Sequence, residues 1–152
     1  METRKKDAIR IVGIETRTVN APGKVDIDIP ALWGRFMAEN IGGQLPSKLS
    51  EEIYCVYCEY EGDHNKPYTT LIGYSVPSDT NLPEGMKSFE IKPSEYAIFK
   101  SEGDLTGGAV VGTWNEIWQT SLDRTYAADF EIYGKEAEDP KNGKIEIFIG
   151  IN

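Results

Sequence analysis

Residues 52–77 read EIYCVYCEYEGDHNKPYTTLIGYSVP. Two runs rich in Tyr, Ile, Val and Thr, 52–61 and 68–77, flank GDHNKP (62–67). Gly, Asp, Asn and Pro are turn formers, and aromatic and β-branched residues suit strands, so the stretch predicts a β-hairpin. Upstream lies PALWGRFMAENI (30–41), where Leu32, Phe36 and Met37 recur at helical spacing with Trp33 beside them. Pro30 suits a first helical turn, Asp28 sits just ahead of it, and Gly42-Gly43 stops the helix. Before that, AIRIVGIETRTVN (8–20) alternates as a strand does. The first half therefore reads strand–helix–strand–strand over about 8–77.

The polar stretch SDTNLPEGM (78–86) reads as a connection, after which the order repeats over about 94–151. EYAIFKSEG (95–103) is a strand. LTGGAVVGTWNEIWQTSL (105–122) is a helix, with Val110, Trp114, Ile117 and Trp118 along one side. ADFEIYG (128–134) and KIEIFIGI (144–151) are strands, and the Asn-Gly of EDPKNG (138–143) signals a hairpin between them. The expected fold is α+β: a duplicated strand–helix–strand–strand in one domain spanning 1–152. Its sheet is antiparallel, its two helices pack on that sheet, and a pseudo-twofold relates the halves. Where the helices diverge, a central groove is a natural place for a ligand.

Composition narrows the function. Among 152 residues, 25 Asp and Glu stand against 16 Lys and Arg, a formal charge of −9. Nucleic-acid affinity needs basic clusters, and the one present, Arg4-Lys5-Lys6, reads as a solvated terminus, so no direct nucleic-acid partner is expected. There is no apolar run of membrane-spanning length and no apolar signal segment, and with only two Cys the expected location is the cytoplasm. Eight Tyr, five Phe and three Trp are many rings for this length; rings build cores and also line pockets.

Common catalytic signatures are missing. Cys55 and Cys58 in CVYC lie three apart on a strand and point to opposite faces, which predicts two core thiols rather than a redox or metal pair. His64, the single histidine, sits in a turn with no nucleophile motif, and zinc is not expected from one His and two opposed Cys. GDLTGG (103–108) lacks the Lys of a phosphate loop and reads as a helix entry capped by Asp104 or Thr106. No metal and no cofactor are expected.

Glu131 carries the functional question. In YAADFEIYG (126–134), Phe130 and Ile132 share one strand face, and Asp129, Glu131 and Tyr133 the other. Solvent is the default for a strand glutamate, and spacing alone does not overturn it. Nor does spacing separate core filling from pocket walls for Trp33, Trp114 and Trp118, or for Tyr54, Tyr60, Tyr68 and Tyr74, of which Tyr68 and Tyr74 share a face.

Over residues 8–151, however, the chain resembles the GyrI-like effector-binding domains of AraC-type and MerR-type multidrug-responsive regulators. The likeness runs through IPALWGRF (29–36), YCVYCEYEGDHNKPYTTLIGYSV (54–76), GMKSFEIKPSEYAIFKSEG (85–103), GTWNEIWQTSL (112–122), ADFEIYG (128–134) and KIEIFIGI (144–151). The family's fold is a duplicated strand–helix–strand–strand, and its FE-x-Y glutamate lies at the floor of an aromatic pocket. The resemblance implies that Glu131 is the floor, with Trp33 and Trp114 or Trp118 as walls and Tyr68 opening the matching strand; Phe36 and Tyr133 complete the expected set of ligand-binding residues. It also implies small organic cations as partners. With the first half starting near residue 8, no helix-turn-helix is expected. The reading is a stand-alone drug-binding form, of the kind carried by integron cassettes. Two rivals use the same features: hydrolysis of cyclopropane-type toxins with Glu131 as base, and a protein-interaction module of the gyrase-inhibitor type. The seam between the halves could also serve a homodimer.

Overall fold

Every strand and helix read above forms, and two further strands join them. The computed structural model describes residues 1–152 and holds ten principal elements: β1 (Thr3–Lys6), β2 (Ile9–Thr18), α1 (Val25–Ala38), β3 (Ile53–Cys58), β4 (Tyr68–Val76), β5 (Lys87–Ile91), β6 (Ser94–Gly103), α2 (Ala109–Gln119), β7 (Arg124–Tyr133) and β8 (Gly143–Ile151). All eight strands belong to one antiparallel sheet in the order β1-β6-β8-β7-β3-β4-β2-β5. That order is symmetric. Each half contributes a three-strand block, β3-β4-β2 and β7-β8-β6, and the blocks meet at β3 and β7.

The two strands that the sequence did not suggest complete the duplication. β1 precedes β2 yet pairs with β6, and β5 precedes β6 yet pairs with β2. Each half thus lends its leading strand to the edge of the other. Arg4-Lys5-Lys6, expected as a solvated terminus, lies within β1, where Arg4 pairs with Tyr96. Both leading strands are short and partly exposed, so their own sequences carry little strand signal; a free sheet edge supplies their backbone partners.

Local chemistry moves three other boundaries. α1 begins at Val25, with Pro30 inside it, where Pro leaves the Asp26 carbonyl without its usual amide donor. Asp26 and Asp28 in its first turn favour the positive helix end. α2 starts at Ala109, because Asp104 Oδ1 accepts from the Thr106 amide (3.0 Å) and hydroxyl (2.7 Å) in a local turn. Neither residue caps the helix; Gly108, at φ 106°, leads into it instead. The β7–β8 connection holds two short 3₁₀ turns, Lys135–Ala137 and Pro140–Asn142, in place of a tight Asn-Gly turn.

Apolar side chains divide between the two faces of the sheet. Leu32 and Phe36 of α1 pack with Val12, Ile14, Tyr57, Ile72 and Tyr74, and Ile117 of α2 packs with Ile145, Ile147 and Ile149. Trp114 and Tyr133 touch both of these clusters, so they sit where the halves join. On the opposite face the sheet curls on itself and buries Tyr96, Phe130 and Phe148 together, with Phe130 stacked on Phe148 at 4.7 Å. Gly13 and Gly73 face each other across β2 and β4. A Cβ on Gly13 would lie 1.9 Å from the Ile72 carbonyl oxygen, so only glycine fits this close approach. No helix is long and apolar enough to cross a membrane.

Candidate ligand-binding site

Strand alternation on β7 turns Asp129, Glu131 and Tyr133 toward the helices, and the β3–β7 pairing sets Cys55 directly opposite Glu131. Glu131 is 1% exposed. Its Oε2 accepts from the Trp114 indole N–H (2.7 Å) and the Tyr57 hydroxyl (2.9 Å), and its Oε1 from the Tyr133 hydroxyl (2.7 Å). Burial pushes its pKa up, and these hydrogen bonds partly oppose the shift. Burial also raises the Tyr57 and Tyr133 phenols well above their usual value, so both remain protonated donors. None of these donors carries a positive charge.

Asp129, two residues away and 0% exposed, is held differently. Arg124 pairs with its Oδ2 at 2.7 Å, and the Arg124 side chain is itself 6% exposed. Tyr60 donates to the same oxygen (2.6 Å), and the Gly150 amide to Oδ1 (2.8 Å). A register shift in β7 between Arg124 and Asp129, with Tyr126 at φ 53°, lets Arg124 reach the carboxylate five positions on. One strand face therefore buries two carboxylates, of which one has a resident cation and the other has only neutral donors.

Rings link the two carboxylates. Tyr57 meets Trp114 at 5.4 Å and Tyr68 at 5.9 Å; Tyr68 meets Tyr60 at 5.6 Å, and Tyr60 meets Tyr126 at 5.6 Å. From the other side, Trp118 lies 6.1 Å from Trp114 and stacks on His64 at 5.6 Å, and His64 lies over Tyr126 at 6.4 Å. These contacts close a circuit. From α1, Trp33 meets Tyr133 edge-on at 5.0 Å. Trp33 of α1 and Trp114 of α2 thus reach the same group of rings around Glu131. Open cavities of about 540 and 870 Å³ occur elsewhere, one beside Glu15, Arg17 and Glu59 and the other beside Lys6, Arg10 and Leu49.

The residues singled out in the sequence fall at different distances from this centre. Trp114 and Tyr133 touch Glu131; Trp33 contacts Tyr133; Tyr68 stands one ring away, behind Tyr57. Phe36 lies further back, 2% exposed and stacked on Tyr74. Trp118 makes no bond to Glu131 and is 38% exposed at the far side of the circuit, where His64 is more than a simple turn residue. Tyr57, a direct donor, is missing from the residues predicted from sequence: alternation puts it on the face of Cys55, but only the β3–β7 pairing brings that face to Glu131. Tyr54 faces the opposite cluster. Cys55 and Cys58 lie on opposite faces as free buried thiols, and burial pushes Cys58 up to about 12. No group of three or more His, Cys, Asp or Glu lies together as a metal set.

Comparison with known proteins agrees with this architecture. The chain is 30% identical over 149 residues to YobU of Bacillus subtilis, a proposed transcriptional regulator, covering 95% of this chain and 93% of YobU. It is 25% identical over 154 residues to the transcriptional regulator BrlR of Pseudomonas aeruginosa, covering 97% of this chain and 53% of BrlR. Its fold matches the integron cassette protein VCH_CASS2 of Vibrio cholerae with a TM-score of 0.77 at 22% identity, covering 99% of this chain and 95% of that one. It also matches SAV2435, solved bound to tetraphenylphosphonium, with a TM-score of 0.80 at 17% identity over 99% and 93% of the two chains. A family model for integron-associated effector-binding proteins, Cass2, matches residues 3–151, and the chain belongs to that family.

Proposed function

We propose that this protein reversibly binds lipophilic organic cations at Glu131. The observation that carries the reading is the contrast within β7: Asp129 has Arg124 at 2.7 Å, whereas Glu131, equally buried, has hydrogen-bond donors but no cation. A buried carboxylate without a counter-charge is costly, and an incoming cation removes that cost. Aromatic faces then attract the guest at ~0.5–2 kcal/mol per cation–π contact, and apolar burial adds ~25 cal/mol per Å². Neither term is strongly directional, so the site favours breadth over one ligand shape. The tetraphenylphosphonium bound by the structurally similar SAV2435 is a guest of this chemical type.

Entry requires the Trp114 and Tyr133 rings to move off the carboxylate, with Trp33 and Tyr68 as further walls. Trp118, at the exposed end of the ring circuit, marks the way in. The test is titration of rhodamine 6G followed by fluorescence polarisation. A cation about 4 Å from a carboxylate gains ~4 kcal/mol at an effective dielectric of 20, part of it offset by desolvation. Glu131→Gln should therefore weaken binding by roughly 30-fold or more, about 2 kcal/mol. Equal affinity in the variant would remove the carboxylate from the mechanism.

A further inference from the structure

The site floor carries two carboxylates but leaves only one charge unanswered, and we infer that Arg124 sets the charge of the ligand at +1. The inference rests on Glu131 being the cation site. Asp129 and Glu131 are alternate residues of one strand and face the same way, which puts their Cα atoms roughly 7 Å apart. Rings join them without a break: the Tyr57 hydroxyl is on Glu131, Tyr68 lies between Tyr57 and Tyr60, and the Tyr60 hydroxyl is on Asp129. Without Arg124, this floor would suit a dication with its charges a short arm apart.

Arg124 prevents that. Its guanidinium is bonded to Asp129 at 2.7 Å and lies 4.3 Å from the centre of the Tyr126 ring, occupying the aromatic face that a second ligand cation would use. The other Asp129 oxygen is taken by the Gly150 amide. A second positive charge on the ligand would lose its water and meet an ion pair already neutral, with the positive partner beside it. Glu131 has no such internal cation, so a single charge is rewarded and a second is penalised.

Ethidium and propidium test this, since they share a phenanthridinium ring and propidium adds one quaternary ammonium on a three-carbon arm. Both are titrated by fluorescence at pH 8. Wild-type protein should bind ethidium at least tenfold more tightly than propidium. Arg124→Gln, which frees Asp129, should reverse the order, and Arg124→Gln with Asp129→Asn should restore it. If Arg124→Gln does not fold alone, refolding supported at a lower concentration of propidium than of ethidium is the expected result, and rescue by neither, or by ethidium at the lower concentration, overturns the inference. Propidium binding wild type as tightly as ethidium, or an unchanged ratio in folded Arg124→Gln, also overturns it. These failures are distinct from failure of the underlying site: ethidium bound by wild type and lost in Glu131→Gln upholds the site whatever propidium does. Wild type that binds neither dye refutes both.

Discussion

Neutralising each of the two β7 carboxylates should move stability in different directions, although they lie two residues apart and are equally buried. Glu131→Gln keeps the shape of the side chain. The amide oxygen in place of Oε2 still accepts from Trp114 and Tyr57, and the new NH₂ can donate to the Tyr133 hydroxyl, which turns to accept. Three charge-assisted bonds become ordinary ones at a loss of about 1 kcal/mol each. Against this, the variant no longer buries an uncompensated charge, whose penalty is several kcal/mol even after relaxation. The net expectation is from zero to about 2 kcal/mol of added stability, a Tm unchanged or raised by up to roughly 8 °C for a chain this size. Asp129→Asn does the reverse. It strands the Arg124 guanidinium, 6% exposed, without its anion, at a cost of ~3–5 kcal/mol, and Tm should fall by roughly 6–20 °C. Thermal melts of the ligand-free proteins by circular dichroism at pH 8 read both. A fall in Glu131→Gln as large as in Asp129→Asn would refute the distinction drawn between an internally neutralised and an open carboxylate.

Cation affinity should decline as pH is lowered through the Glu131 pKa, with a midpoint above the ordinary 4.5, because the protonated site has no charge to offer; polarisation titrations over a pH series check this. The ligand-free fold should respond the other way. Folding raises that pKa, so the native state holds the proton more tightly, and between 4.5 and the raised value the Glu131 contribution to stability grows as pH falls. Cys55 and Cys58, both buried and shifted up, should resist an aromatic disulfide reagent in the native protein and react only on unfolding; fast labelling without denaturant would contradict their placement. Gly13→Ala should lower stability by more than ~3 kcal/mol in urea titration, because the new Cβ meets backbone that no rotamer change can clear.

Much of this molecule was legible in the linear order of residues. Alternation in 52–77 and 128–151, helical spacing in 30–41 and 105–122, and turn chemistry between them led to a duplicated strand–helix–strand–strand. These are period and turn signals, carried by neighbours in the chain. The same alternation placed Cys55 and Cys58 on opposite faces and put Asp129, Glu131 and Tyr133 on one. What the sequence could not decide was set by pairing across distance. β1 and β5 are strands only because the opposite half offers each an edge. Tyr57 reaches Glu131 because β3 and β7 meet at the seam, 74 positions apart. The environments of two similar acids diverged for two reasons: a bulge that alternation does not announce lets Arg124, five positions away, neutralise Asp129, while more distant elements bring only neutral donors to Glu131. A side chain's face follows from local backbone geometry, but its solvation and its partner's charge depend on which residues, near or far along the chain, the fold packs against it.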